Sequence, residues 1–304
     1  MKTRFRPDLL RRTPDGHKNQ HNRLCPVRAV IGLCALALLL TSSPAVLAQC
    51  APSPTGAMVA WFAFDQGYDS YDLAGGAPIS WSFPEPALVS PGFVSYAAPS
   101  LDGATTYAEI PNTIVANIGP GTGTCFTGGE GAFSSCTGDF SIEAWVNLQG
   151  HEPSSPETVV DKRGPGPIGY SLYINANRLG LQLADGTGVL GYDNYDSLPL
   201  TTLVDSNWHH VAVTVSRLNQ YGFGGIEWYL DGIGQGGSTS FTGHNGSLVN
   251  NGPVRIGANG PDNPGGFFLG YIDGVTIYNR VLTYHEIHAI AEARYGKCKP
   301  YPFP

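Results

Sequence analysis

Carboxylates at strand spacing are the first candidates for chemistry. In residues 140–148, FSIEAWVNL, Glu143 is followed at alternate positions by Trp145 and Asn147, so no acidic partner shares its face. Glu227 and Asp231 do share a face, with Tyr229 between them, but they straddle an Asp-Gly turn. Retaining glycoside hydrolysis needs two carboxyls about 5–5.5 Å apart, and neither arrangement supplies that pair. His209-His210 suggests a metal or general-base role. Adjacent strand residues point to opposite faces, so the two rings are badly placed to chelate one ion. Aromatic packing and a backbone hydrogen bond are the expectation for them. The chain has no Gly-x-Ser-x-Gly elbow and no Cys/His zinc spacing.

Binding chemistry has more support than catalysis. Asp65, Asp69 and Asp72 crowd one Gly-rich loop, and Asp273 stands in a late strand; such hard oxygen ligands suit calcium. The alternative is that these aspartates satisfy turn backbone. No Asp-x-Asp-x-Asp-Gly loop is present, which excludes an EF-hand. Tyr192, Asp193, Asn194 and Tyr195 form a polar-aromatic run, with Tyr221 and Phe223 as further aromatics. Aromatic faces stack on sugar rings while amides and carboxylates take hydroxyl hydrogen bonds. Tyrosine is also an ordinary strand former, so edge or core packing competes with this reading. Asn245-Gly246-Ser247 is a glycosylation sequon, meaningful in a eukaryotic source.

These residues must be held by strands. Val211, Val213 and Val215 alternate with Ala212 and Thr214; after a Gly-rich interruption Ile226, Trp228 and Leu230 repeat the pattern against Glu227, Tyr229 and Asp231. Period-two alternation on both sides of a turn signal predicts two antiparallel half-buried strands. Residues 57–65, 140–148, 170–174, 178–184, 254–258 and 271–280 read as further strands, 191–197 as a loop or edge, and 158–161 as an edge strand in a Pro-rich region. Trp61, Trp145 and Trp228 fall on regular strands and read as structural. A helix is predicted from Thr283, where Thr283 and Glu286 make a capping box and Leu282 and Ile287 a staple, with Ile287, Ile290 and Ala291 inward and Gly296 at its end. With 40 Gly, 24 Pro and 13% charged residues, the composition suits a turn-rich all-β protein.

The first residues form a separate unit. A basic stretch, residues 1–28, precedes the apolar run 30–40 (VIGLCALALLL) and small residues at 46–48. This reads as a signal peptide over residues 1–48, with a run too short to span a membrane, and it implies a secreted, extracellular or periplasmic protein. A lipid anchor on Cys50 is disfavoured by the preceding Gln49. Removing residues 1–48 takes Lys plus Arg from 17 to 9 and Asp plus Glu from 24 to 22, a net charge of −13. So acidic a chain is a poor partner for nucleic acid or anionic membranes. Residues 49–298 read as one domain and 299–304 as an irregular tail.

Asn207-Trp208-His209-His210-Val211-Ala212-Val213, followed by Tyr229-Leu230-Asp231-Gly232, resembles the signature of the laminin-G-like jelly-roll domain of the concanavalin A-like lectin/glucanase fold. Phe140 to Val146 resembles the family's Phe-x-Ile-Glu-x-Trp-Val strand, and Tyr271-Ile272-Asp273-Gly274-Val275 its terminal strand. The match is best over 138–291, with weaker motifs back to about residue 57. The resemblance implies a two-sheet antiparallel β-sandwich with a short C-terminal helix. Chain ends commonly lie side by side in such sandwiches, which favours Cys50–Cys298; Cys125–Cys136 would close a Gly/Ser-rich loop. Four cysteines outside the leader allow three pairings in all. Related folds often hold one calcium near the ends, which here would use Asp65, Asp69, Asp72 and Asp273. Family members that cleave β-glucans carry Glu-x-Asp-x-Glu-type strands, absent here. The expected role is non-catalytic recognition of a glycan or an extracellular protein. The alternatives are a glycan-cleaving hydrolase or lyase with a non-standard site and a structural surface protein. Fold alone does not choose among them.

Overall fold

The computed structural model describes residues 50–54, 57–64, 71–90, 92–93, 97–111, 116–118, 125–126, 135–136, 138–166, 168–217, 224–238, 240–241, 244, 246–260, 263–293 and 295–299, with the side chains of 125–126, 135–136, 224 and 240–241 left aside. In chain order the strands are β1 (Met58–Phe62), β2 (Ser80–Trp81), β3 (Ala87–Val89), β4 (Ala98–Asp102), β5 (Ala108–Ile110), β6 (Cys125–Phe126), β7 (Ser135–Cys136), β8 (Phe140–Asn147) and β9 (Glu157–Gly164). They continue as β10 (Ile168–Asn175), β11 (Arg178–Asp185), β12 (Tyr192–Asp196), β13 (His209–Ser216), β14 (Gly224–Leu230), β15 (Ile233–Gln235), β16 (Ser240–Phe241), β17 (Val254–Ile256) and β18 (Leu269–Tyr278), followed by helix α1 (Tyr284–Glu292).

A nine-stranded sheet runs β15-β14-β13-β8-β18-β4-β3, with β1 also on β18 and β16 on β14. A seven-stranded sheet runs β12-β11-β10-β9-β17-β5-β2, and β6 and β7 form a separate ribbon. The pairings between these strands are antiparallel. The two sheets bury one face each in a common core. Phe140, Ile142, Val211, Val213, Ile226 and Trp228 come from one sheet, and Val160, Tyr170, Leu172, Leu179, Leu181 and Leu183 from the other. The expected central pair is present, with Val213 opposite Trp228 and Val215 opposite Ile226. Packing of two alternating faces drives the sandwich.

Three expectations are corrected. First, most of β13, expected to be half-buried, is buried on both faces, as its neighbour β8 is. The outer face of the nine-stranded sheet is roofed by the C-terminal segment, where Ala212, Tyr229 and Tyr278 pack against Leu282 and Ile287. Second, residues 158–161 belong to β9, which lies inside the seven-stranded sheet between β10 and β17. The charges of Asp161, Lys162 and Arg163 are tolerated there because each is satisfied in place: Asp161 by Arg163, and Lys162 Nζ by the carbonyls of Asn250 and Gly252. Third, α1 ends at Glu292, before Gly296. Ala293 turns extended at φ −75, ψ 126, and packs with Ala51 and Ile290. Gly296 serves the next turn at φ 58, where its carbonyl accepts from Ala51 N. The capping box is as read: Thr283 Oγ1 accepts from Glu286 N, and the Glu286 carboxylate accepts from Thr283 N.

The chain ends meet as the resemblance implied. Ala51 pairs with Lys297, and Cys50 is disulfide-bonded to Cys298. Cys125 and Cys136 are direct Cα partners across the β6–β7 ribbon. Residues 1–49, and with them the expected leader, lie outside the described residues. No described helix is long and apolar enough to cross a membrane.

Candidate functional site

The seven-stranded sheet presents a polar row on its outer face. Asn194 on β12, Gln182 on β11, Ser171 on β10, Asp161 on β9, Arg255 on β17, Glu109 on β5 and Ser80 on β2 stand successively opposite one another. Their neighbours along each strand, such as Leu181, Leu172, Val160, Ile256 and Ile110, point into the core. The row is the other half of the alternation that builds the sandwich.

A depression of about 170 Å³ opens over the β12 end of this row, lined by Pro156, Thr158, Arg163, Ser171, Tyr173, Gln182, Asn194 and Asn259. Hydrogen bonds run across its floor in one direction. Arg163 Nε donates to Asp161 Oδ1 at 2.5 Å and Arg163 Nη1 to Gln182 Oε1 at 2.5 Å, while Gln182 Nε2 donates to Asn194 Oδ1 at 2.8 Å. Asp161 is 1% exposed and also takes Gly260 N at 3.2 Å; burial pushes its carboxyl up against the opposing pull of Arg163. Tyr173 is half-buried, and its ring lies on Gly180, where a Cβ would come within 2.1 Å of ring carbon Cε2. Only glycine leaves that space. Burial first, and then its bond to Asp196, hold the Tyr173 hydroxyl protonated well above the ordinary tyrosine range. Thr158 Oγ1 is buried with no hydrogen-bond partner among the described residues.

The expected ligand run divides along β12. Tyr192 and Asn194 lie on the outer face, and Asn194 reaches the depression. Asp193 instead contacts His244 Nε2 at 3.0 Å, beside the Asp185 carboxylate on Nδ1. Tyr195 belongs to the core, with burial raising its hydroxyl to about 12. Tyr221 and Phe223 lie outside the described residues. Arg163, Tyr173 and Gln182 were missed by sequence reading. For Tyr173 and Gln182 the signal was available as the polar alternates to Leu172, Leu181 and Leu183.

The other singled-out residues are engaged elsewhere. Glu143 lies under the C-terminal roof, where Lys297 Nζ and Tyr278 Oη both donate to Oε1 and His210 Nε2 sits 3.2 Å from Oε2. Glu227 accepts from Tyr229 Oη at 2.6 Å. Asp231 accepts from His210 N and contacts His209 Nδ1 at 2.9 Å, and Asp205 contacts His209 Nε2 at 3.0 Å. The two histidines therefore face opposite ways, as read, but their ring partners are carboxylates rather than backbone. Asp72 is buried, its carboxylate accepting from the amides of Trp61, Ala74 and Gly75. Burial, the largest influence, nevertheless leaves its carboxyl raised. Asp273 is buried in β18, and Asp65 and Asp69 lie outside the described residues. Among the described residues no group of three or more carboxylate, imidazole or thiol side chains is placed to hold a metal ion.

Two antiparallel sheets face to face, one roofed and one carrying a polar depression, define a jelly-roll sandwich. The chain belongs to the concanavalin A-like lectin/glucanases superfamily, whose family model matches residues 102–288. No curated protein matches its sequence. Among solved structures it is similar to the binding domain of Paraclostridial Mosquitocidal Protein 1, with TM-score 0.57 and 15% identity over 77% of this chain and 52% of that one. It is similar to domain 4 of AbnA, a GH43 extracellular arabinanase from Geobacillus stearothermophilus, solved in complex with arabinotriose, with TM-score 0.51 and 18% identity over 77% of this chain and 98% of that one. The receptor binding domain of botulinum neurotoxin type G gives TM-score 0.53 and 12% identity over 80% of this chain and 54% of that one. The chain thus spans about half the length of the toxin domains it matches. At these identities the likeness is one of fold.

Proposed function

We propose that this chain is an exported, non-catalytic recognition module that binds carbohydrate on the outer face of its seven-stranded sheet. The observation that carries the reading is the depression around Tyr173, Gln182 and Asn194, where amides and hydroxyls surround a tyrosine ring lying on the sheet. Few polar groups at fixed positions beside an aromatic surface are what sugar recognition uses. Its eight lining residues include no carboxyl, which favours binding over the two-carboxylate chemistry of a glycosidase. Glu143, the most prominent strand carboxylate, is engaged under the roof of the other sheet. The arabinotriose complex of the similar AbnA domain and the dependence of botulinum neurotoxin type C cell entry on two ganglioside molecules support the same class of ligand. Export fits a disulfide between the chain ends.

The test is a glycan array of the purified chain, followed by titration of the glycans retained. Tyr173→Ala and Asn194→Ala should each weaken binding by about tenfold, the loss of one stacking face or one hydrogen-bonding side chain, with melting temperatures close to that of the parent. Binding unchanged in both variants would remove this face as the site.

For calcium, Asp72 is already engaged by three amides, so the proposal narrows to Asp65 and Asp273 with Asp69 as the third carboxylate. An ion bound only by the folded chain stabilises it by about 2.7 kcal/mol at 100 times its dissociation constant. Chelation should then lower the melting temperature, and Asp273→Ala should remove that sensitivity. An identical melt in chelator and in millimolar calcium would eliminate the ion.

A further inference from the structure

We propose that the sugar recognised in this depression is acidic, its carboxylate docking on Arg163; the proposal rests on the reading of this face as a glycan site. The direction of the hydrogen-bond relay carries it. Arginine has only donors, so Gln182 must turn its oxygen to Arg163 Nη1 and its amide nitrogen to Asn194. Asn194 must then answer with its own oxygen, which leaves its Nδ2 outward. Neither amide can flip without setting donor against donor. Of the five N–H groups of Arg163, one is taken by Asp161 and one by Gln182, and the remaining three have no partner among the described residues.

The nearest carboxylate is engaged in the same manner: Asp161, 1% exposed, is occupied by Arg163 and the Gly260 amide, while Asp193 and Asp196 stand exposed on the edge strand, bonded to His244 and to the Tyr173 hydroxyl. Along the relay itself the groups left over are therefore donors, from the end of the Arg163 guanidinium through Gln182 Nε2 to Asn194 Nδ2. A neutral sugar hydroxyl offers each donor one modest acceptor. A carboxylate offers two strong ones in the plane that a guanidinium matches. The formal net charge of −7 supplies no long-range attraction for an anion, so selectivity must arise by contact at Arg163.

The experiment is calorimetric titration of the full chain with trigalacturonate and its methyl ester, and with sialyllactose and lactose, arabinotriose serving as a neutral probe. The proposal expects one acidic member to bind at least about tenfold tighter than its neutral counterpart, the effect of a charge-assisted hydrogen bond; which pair responds separates a uronate from a sialate. Arg163→Gln should erase that difference, and Arg163→Lys should retain part of it. Because Arg163→Gln leaves Asp161 unpartnered, Arg163→Gln with Asp161→Asn is measured as well, with melting temperature as the control for folding. If neutral probes bind as tightly as acidic ones, and still respond to Asn194→Ala, the glycan site stands and its acidic preference is overturned. If no probe responds to Asn194→Ala or to Arg163→Gln, both readings fall.

Discussion

Opening the Cys50–Cys298 bridge should lower stability by about 5 kcal/mol, because the loop it closes spans a sequence separation of 248 residues. The cross-link removes unfolded conformations in proportion to the logarithm of that length, so a bridge between chain ends lies near the top of the range. In the folded chain the ends are already zipped: Ala51 N donates to Gly296 O and Cys298 N to Ala51 O, each at 2.7 Å, and Ser53 Oγ donates to Cys298 O at 2.7 Å. Those bonds hold in the native state but cannot restrain the unfolded chain, so they do not replace the disulfide. Cys298→Ser should shift the melting temperature downward by about 10 °C or more for a domain of this size. Denaturant unfolding with and without reductant measures the same difference. A midpoint that ignores reductant would show that the unfolded chain is not restrained by this link. Peptide mapping without reduction should recover Cys50 with Cys298, and Cys125 with Cys136, their Cα partnership across the β6–β7 ribbon being the basis for the second.

The sequence conveyed the sandwich and little of its surface. Strict alternation in residues 140–148 and 211–215, with a turn-separated repeat at 226–230, marks strands whose core faces are apolar, and those strands are where they were expected. Alternation says which residues point out, but not what lies above them. Glu143 therefore reads as a strand carboxylate without an acidic partner on its face, when Lys297, some 150 residues later in the chain, covers it and pairs with it. The same limit hid the depression. Gln182 and Ser171 stand among leucines and tyrosines on strands recognised for their apolar face, and Arg163 stands just past residues 158–161, read as an edge strand in a Pro-rich region. Only register, which sets Asn194 opposite Gln182 and Gln182 opposite Ser171, turns separate strand positions into a row. Tyr195 shows the converse. Its polar neighbours suggested a ligand platform, while period two sends it inward beside Leu181.

Lys297→Met should destabilise the chain by about 3–5 kcal/mol, the cost of leaving a buried carboxylate without its cation. Glu143 is 1% exposed, and its two oxygens meet Lys297, Tyr278 and His210. Lys297 also lies over the Trp61 ring, 4.9 Å from its centroid. Burial, the largest single influence, would raise the Glu143 carboxyl; the charge of Lys297 and the His210 bond outweigh it and hold the group at about 2, below its ordinary 4.5. A depressed carboxyl stabilises the fold above the unfolded value and loses that contribution as pH falls through the folded one. The wild-type chain should therefore lose stability between about pH 4.5 and pH 2, and Glu143→Gln should flatten that part of the profile. Replacing both partners with apolar residues, Glu143→Met with Lys297→Met, should recover much of the single-variant loss, since an ion pair swapped for packed apolar groups is often near neutral. Urea unfolding of the wild type, Glu143→Met, Lys297→Met and the double variant across this pH range gives the cycle directly. Additive single losses would mean that the two charges do not act on each other. Glycan affinity supplies an independent check, because the pair lies on the nine-stranded sheet while the depression lies on the seven-stranded one. Glu143→Gln should bind as the parent does. A variant that stays folded and loses either binding or a hydrolytic activity would return Glu143 to the chemistry of the site.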